Sequence, residues 1–171
     1  QRKIIRLPSA AHYHPLSCWQ ATTACQQQFL ARLTWLSDKK TLNLRGLGTQ
    51  TWQALMDAEH IERLTDWLAL SATDLTSTPG FGKKRSAQIA ELFAQAKTRS
   101  FKAWLRALGT PNFIKSKPTD TWHSLSQLTA EQWQQQRYLT SRQTEQAVAF
   151  FQHSEVQKIA EQLQQYGIDG F

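Results

Sequence analysis

The sequence predicts an all-α fold made of many short helices. Three observations point there. Apolar residues recur at three- and four-residue steps along most of the chain, the spacing of a buried helical face. Ser and Thr stand three residues before Asp or Gln just ahead of such stretches, as in Ser71 with Asp74 and Thr129 with Gln132, the pattern of a capped first turn. No alternating apolar run or Asn-Gly hairpin marks a strand.

Residues 1 to about 17 carry His12, His14, Pro8 and Pro15 without periodicity and read as an extended lead-in. From Thr22 the pattern becomes helical, with Phe29, Leu30, Leu33 and Leu36 on one face. Ile89, Leu92, Phe93 and Ala96 define a second face, and Ala147, Val148 and Phe151 a third. Val156, Ile159, Ala160 and Leu163 define a last one, closed by Gly167. Lys115-Ser116-Lys117-Pro118 reads as a loop dividing the helical part. Trp35, Trp52, Trp67 and Trp104 fall inside apolar patterns, so core packing is expected of them rather than base stacking.

The chain of 171 residues is long enough for one ordinary domain or two small packed ones, and seven Trp with eight Phe supply a core. No apolar run reaches bilayer length, and no charged-then-apolar leader follows Gln1, so the natural protein is expected to begin upstream. A net charge of +7 favours an anionic partner. Nucleic acid comes before a membrane surface, because the basic residues are spread between apolar helices rather than gathered on one amphipathic segment. Cys18 and Cys25 are too few for a disulfide scaffold, which points to a reducing, cytoplasmic setting. His123 and His153 stand apart from any nucleophile or carboxylate, and no catalytic site is expected in the chain.

The informative stretch is Thr78-Pro79-Gly80-Phe81-Gly82-Lys83-Lys84-Arg85-Ser86-Ala87-Gln88-Ile89, with Leu75 ahead of it. It resembles the helix-hairpin-helix pattern, two helices joined by a tight Gly-apolar-Gly turn. Gly80 and Gly82 permit positive φ and let backbone approach a phosphate closely. The turn runs into a helix N-terminus, where free N–H groups and the dipole favour an anion. Phe81 is expected to anchor the turn in the core. Lys83, Lys84 and Arg85 crowd the first helical turn, an unfavourable place for cations unless a phosphate lies nearby. Leu42-Asn43-Leu44-Arg45-Gly46-Leu47-Gly48-Thr49-Gln50-Thr51-Trp52 repeats the scheme, with Leu55 continuing the apolar face. Leu105 to Gly109 opens a third unit with no Gly-apolar-Gly turn after it. Between Leu128 and Phe151 the framework fits a fourth, its turn near Tyr138-Leu139-Thr140, where glycines are missing. The last two are expected to serve packing, with weakened phosphate contact.

The order Leu42-x-Leu44-x-Gly46-Leu47-Gly48, then Pro79-Gly80-Phe81-Gly82-Lys83, then Ala107-Leu108-Gly109 resembles the helix-hairpin-helix domain of bacterial NAD-dependent DNA ligases. Cys18 and Cys25, followed by Gln26, Phe29 and Leu33, look like the end of that family's four-cysteine zinc finger. With the first cysteine pair missing and no room for a closing BRCT domain, the likeness is to the family's short paralogue. It is good over about residues 16 to 110 and weaker beyond.

The resemblance implies an all-α tandem helix-hairpin-helix domain behind a degenerate finger segment. Residues 1–36 would be linker and finger, 37–110 the two intact motifs, and 111–171 degenerate motifs completing the same domain. It implies a parent enzyme that moves AMP from NAD to a lysine and then to the 5′ phosphate of a nick, and finally joins that phosphate to the 3′ hydroxyl, in DNA replication or repair. The Lys-x-Asp-Gly motif holding that lysine is absent; Ile168-Asp169-Gly170 lacks the Lys. NAD is therefore expected to bind outside this chain, which alone would not seal nicks. Its partner would be nicked double-stranded DNA and no membrane, and it would act as a monomer. The expected contacts are Gly46, Leu47, Gly48, Thr49, Gly80, Phe81, Gly82, Lys83, Lys84 and Arg85.

Cys18, Cys25, His12 and His14 have the chemistry of four zinc ligands, but Cys-x6-Cys is loose for a zinc knuckle, so no metal is expected and both thiols are assigned to apolar packing. A helix-hairpin-helix glycosylase would need a catalytic Asp beyond the turn, and residues 82–109 contain none. An accessory DNA-binding domain of a nuclease or repair complex, or a purely structural helical domain, remains open at this point.

Overall fold

The computed structural model describes residues 16–171. It is helical, with no strand among the described residues and one isolated bridge, between Gln20 and Arg63. The chain divides into two compact units, one ending at Ala96 and the other spanning Lys97–Phe171.

The first unit contains α1 (Gln26–Ser37), α2 (Thr49–Asp57), α3 (Ala72–Thr76) and α4 (Lys83–Ala96), with single tight helical turns at Thr23–Cys25 and Asp66–Ala69. Its centre is aromatic. Trp52, Trp67 and Phe93 are buried with ring centroids 4.9–5.9 Å apart. Each such side chain contributes roughly 1.5–3 kcal/mol on burial, and the indole N–H groups also need acceptors. Trp67 donates to the Leu64 carbonyl at 2.7 Å and Trp52 to the Ser37 hydroxyl at 3.1 Å. Ser37 in turn donates to the Leu47 carbonyl at 2.8 Å, which fixes the α1–α2 connection to the core. Trp35, expected in the core, is only half-buried.

The second unit contains α5 (Phe101–Ala107), α6 (Trp122–Ser126), α7 (Ala130–Arg137), α8 (Ser141–Gln152) and α9 (Ser154–Gln165). Leu125, Trp133, Ala147, Phe150, Phe151, Val156, Ile159 and Leu163 form its core. Capping boxes open α6, α7 and α8 at Thr121, Thr129 and Thr140, as one opens α3 at Ser71 in the first unit. The loop before α6 is held by Asp120, which accepts two hydrogen bonds from Arg137 at 2.7 and 2.9 Å and one from the Lys117 amide at 2.6 Å. The Arg137 guanidinium holds the Asp120 carboxyl below the usual carboxylate range, and the same bond raises Arg137. The final residues return to the start of the unit. The Trp122 amide donates to the Gly170 carbonyl at 2.8 Å, and Phe171 stacks on Trp122 and meets Phe101 edge-on.

Candidate nucleic-acid interface

Both glycine pairs lie in tight turns that feed helices of the first unit. At Pro79-Gly80 the Phe81 amide donates to the Thr78 carbonyl at 3.0 Å, with Gly80 at φ +85°. This is a β-turn whose third position needs a positive φ, with Pro favoured at the second. At Arg45-Gly46 the Leu47 amide donates to the Leu44 carbonyl at 3.3 Å, with Gly46 at φ +98°. The second glycine of each pair behaves differently from the expectation. Gly48 is extended, at φ −104° and ψ −179°, and Gly82 is not among the residues of positive φ. Each is the residue that begins the following helix, accepting at its carbonyl from Trp52 or from Ser86. The reason for glycine at these two places is therefore the missing side chain, not the backbone angle.

That missing side chain has two effects. No hydroxyl or carboxylate closes over the first amides of α2, and a glycine cannot close over those of α4. Those amides are the unpaired donors of a helix start. The space above is also clear: a Cβ at Gly48, Gly80 or Gly82 would meet nothing within 4 Å. Lys83 and Lys84 are exposed beside this surface.

Other expected contacts are engaged within the protein. The Arg85 guanidinium donates to the Thr51 hydroxyl at 2.8 Å and lies 5.3 Å from the centre of the Phe81 ring. It therefore braces α4 against α2. Phe81 is half-buried, less than an anchor of the turn would be, whereas Leu47 is buried. The Thr49 hydroxyl lies 3.4 Å from that of Thr34. Arg45, which sequence reasoning did not single out, shares with Gly46, Arg85, Gln88 and Leu92 an open groove of about 490 Å³. Its signal was available: it sits beside the first glycine, where Pro79 sits in the other turn.

A third turn, in the second unit, lies where the sequence places it. Tyr138 ends α7 at φ +57°, and Thr140 begins α8. The side chain that the glycines omit is present here. Thr140 accepts from the Gln143 amide at 3.2 Å, and Gln143 answers by accepting from the Thr140 amide at 3.1 Å. No glycine turn follows Gly109; residues 110–121 form a loop.

The cysteine segment corrects an expectation. Cys18 and Cys25 form a disulfide, not a packed pair of thiols. With each sulfur bonded to the other, neither thiol is available as a zinc ligand in this structure. Among the described residues no group of three or more His, Cys, Asp or Glu is placed to hold a metal. His12 and His14 lie outside the described residues. The loop is pinned on α1: Arg32 lies 3.8 Å over the Trp19 ring and donates to the Ser17 carbonyl at 2.8 Å, and burial pushes its guanidinium down to about 10. No helix among the described residues is long and apolar enough to cross a membrane.

No family model matches the chain. Along its full length it is 39% identical to the DNA ligase B of Pseudomonas putida (strain W619), and it spans 30% of that relative's length. The matched span takes in both glycine turns and the helical unit that follows them, so the chain is related to a region of that DNA ligase.

Proposed function

We propose that this chain is the duplex-gripping region of an NAD-dependent DNA ligase, built on helix-hairpin-helix motifs. The observation that carries this is the pair of turns Arg45–Gly48 and Pro79–Gly82. Each brings an uncapped helix start to an open, side-chain-free surface, and Lys83 and Lys84 flank the second. A phosphate oxygen satisfies the free amides and the positive end of the helix together. Such contacts carry no base identity, so binding is indifferent to sequence. The two glycine motifs form the intact part and the capped turn at Thr140 the degenerate part. NAD and the adenylated lysine belong to other parts of the parent enzyme, which seals nicks by joining a 5′ phosphate to a 3′ hydroxyl. The likeness to a DNA ligase B over the whole chain supports that parentage.

The test is binding to nicked duplex across a salt series. Two turns with roughly two phosphates each give a log–log slope near −3 to −4. Lys83→Ala and Lys84→Ala should weaken binding to all sequences alike and make the slope shallower. An affinity that does not respond to salt, or a marked preference for one sequence, would reject the proposal.

A further inference from the structure

Tyr138 is 88% exposed, the one large hydrophobic side chain so exposed among the described residues. It also holds a left-handed backbone at φ +57°, which a bulky residue adopts at a cost. The corresponding positions of the other two turns are Gly46 and Gly80, where the same kind of angle costs little. Packing gives no return for either penalty, because the ring touches water. The angle ends α7, with the Tyr138 amide donating to the Trp133 carbonyl, but glycine or asparagine usually takes that place, and an exposed tyrosine kept there is a candidate functional position.

The surroundings are fixed and basic. Arg137, the preceding residue, grips the 115–120 loop through Asp120 and through the Lys115 carbonyl at 3.4 Å. This places a segment bearing exposed Lys115 and Lys117 against the end of α7, and exposed Arg142 lies in the first turn of α8. Asp120, in that loop, is already paired with Arg137. At Thr140 the first-turn amides are capped, so this turn offers no phosphate cradle of the glycine kind. An exposed ring with a cationic flank is instead the arrangement that stacks on a base while its neighbours meet the backbone.

We propose that Tyr138 stacks on a base at a break in the duplex, so that the second unit recognises the nick while the glycine turns grip the phosphates. The proposal rests on the DNA-binding reading above. The base-pair step at a nick is held by one continuous strand instead of two, so opening it to admit a ring costs less than unstacking a step of continuous duplex.

The experiment compares nicked and continuous duplexes of the same sequence by fluorescence anisotropy, using the whole chain. Tyr138→Asn removes the ring with a residue that tolerates the left-handed angle, so the fold is retained. The expected result is a roughly 5- to 150-fold loss of affinity for nicked duplex, the range of aromatic–base stacking. Binding to continuous duplex and the salt slope should hardly change, and Tyr138→Phe should bind nicked duplex like the parent. If Tyr138→Asn binds nicked duplex unchanged, or loses affinity equally for both duplexes, the stacking role is wrong while the phosphate grip stands. If the unaltered chain binds neither duplex, both fall.

Discussion

Gly82→Thr should make the first unit more stable and its grip on DNA weaker. The substitution copies Thr140, which begins α8 and accepts from the amide three residues on. At Gly82 the backbone is outside the left-handed region and a Cβ meets nothing within 4 Å, so the side chain enters without strain. Its hydroxyl then accepts from the Arg85 amide. Replacing glycine by threonine at a helix start gains a few tenths of a kcal/mol. Removing a glycine from the unfolded chain adds roughly 0.4–1 kcal/mol. The net gain is about 1 kcal/mol, visible as a rise of a few degrees in Tm. Under the proposed function, the same methyl and hydroxyl would occupy the place of a phosphate oxygen. Losing one hydrogen bond to a charged acceptor costs about 1.5–3 kcal/mol, roughly a 10- to 150-fold weaker Kd. Thermal melting and anisotropy on one preparation give both numbers. A variant that melts higher and binds duplex as tightly as the parent would show that the start of α4 does not face the phosphate.

Two further outcomes concern the second unit. Gly170→Ala should destabilise by roughly 2–4 kcal/mol, because its Cβ falls 2.4 Å from the Phe101 ring and its φ is +84°; denaturant unfolding measures it, and a loss near zero would mean that the terminal turn is not seated on α5. Asp120→Asn should cost about 2 kcal/mol at neutral pH. Because the folded Asp120 carboxyl titrates below its ordinary value of 3.8, its contribution is complete above the ordinary carboxylate range and is lost as pH falls through the lowered folded value. The variant's stability should therefore fall less steeply than the parent's on acidification, and parallel curves would contradict the assignment.

Much of the helical framework was legible because it rests on local chemistry. Ser71 with Asp74 and Thr129 with Gln132 are the boxes they look like, and Thr140 with Gln143 is a third that the same pattern could have revealed. The two glycine turns were legible as turns, but the division of labour within each was not. Gly-apolar-Gly does not say which glycine needs the angle and which needs the absence of a side chain; that depends on where the β-turn hydrogen bond closes. Arg85 was read as a phosphate contact from its place in a basic triplet; its hydrogen bond to Thr51, 34 residues away, has no signal in the local sequence. Cys18 and Cys25 have a spacing compatible with a bridge or with separation, and only their 5.2 Å Cα distance decides. Tyr138 was placed in a turn, but composition gives no sign that a tyrosine takes an angle suited to glycine or asparagine.

The return of the terminal residues to α5 and α6 bears on the order in which the molecule folds. The turns of the first unit close between neighbours in sequence, contacts that form early and at little entropic cost. In the second unit the Phe101 amide meets the Asp169 carboxylate at 3.4 Å across 68 residues. Closing a loop of that length costs on the order of 4 kcal/mol in chain entropy before any ring contact repays it. The helices α6 to α9 can therefore dock while α5 still waits for its partner. The slow step in refolding should be the seating of Phe171 against Trp122 and Phe101, and indole fluorescence from Trp122 should lag behind the growth of helical circular dichroism.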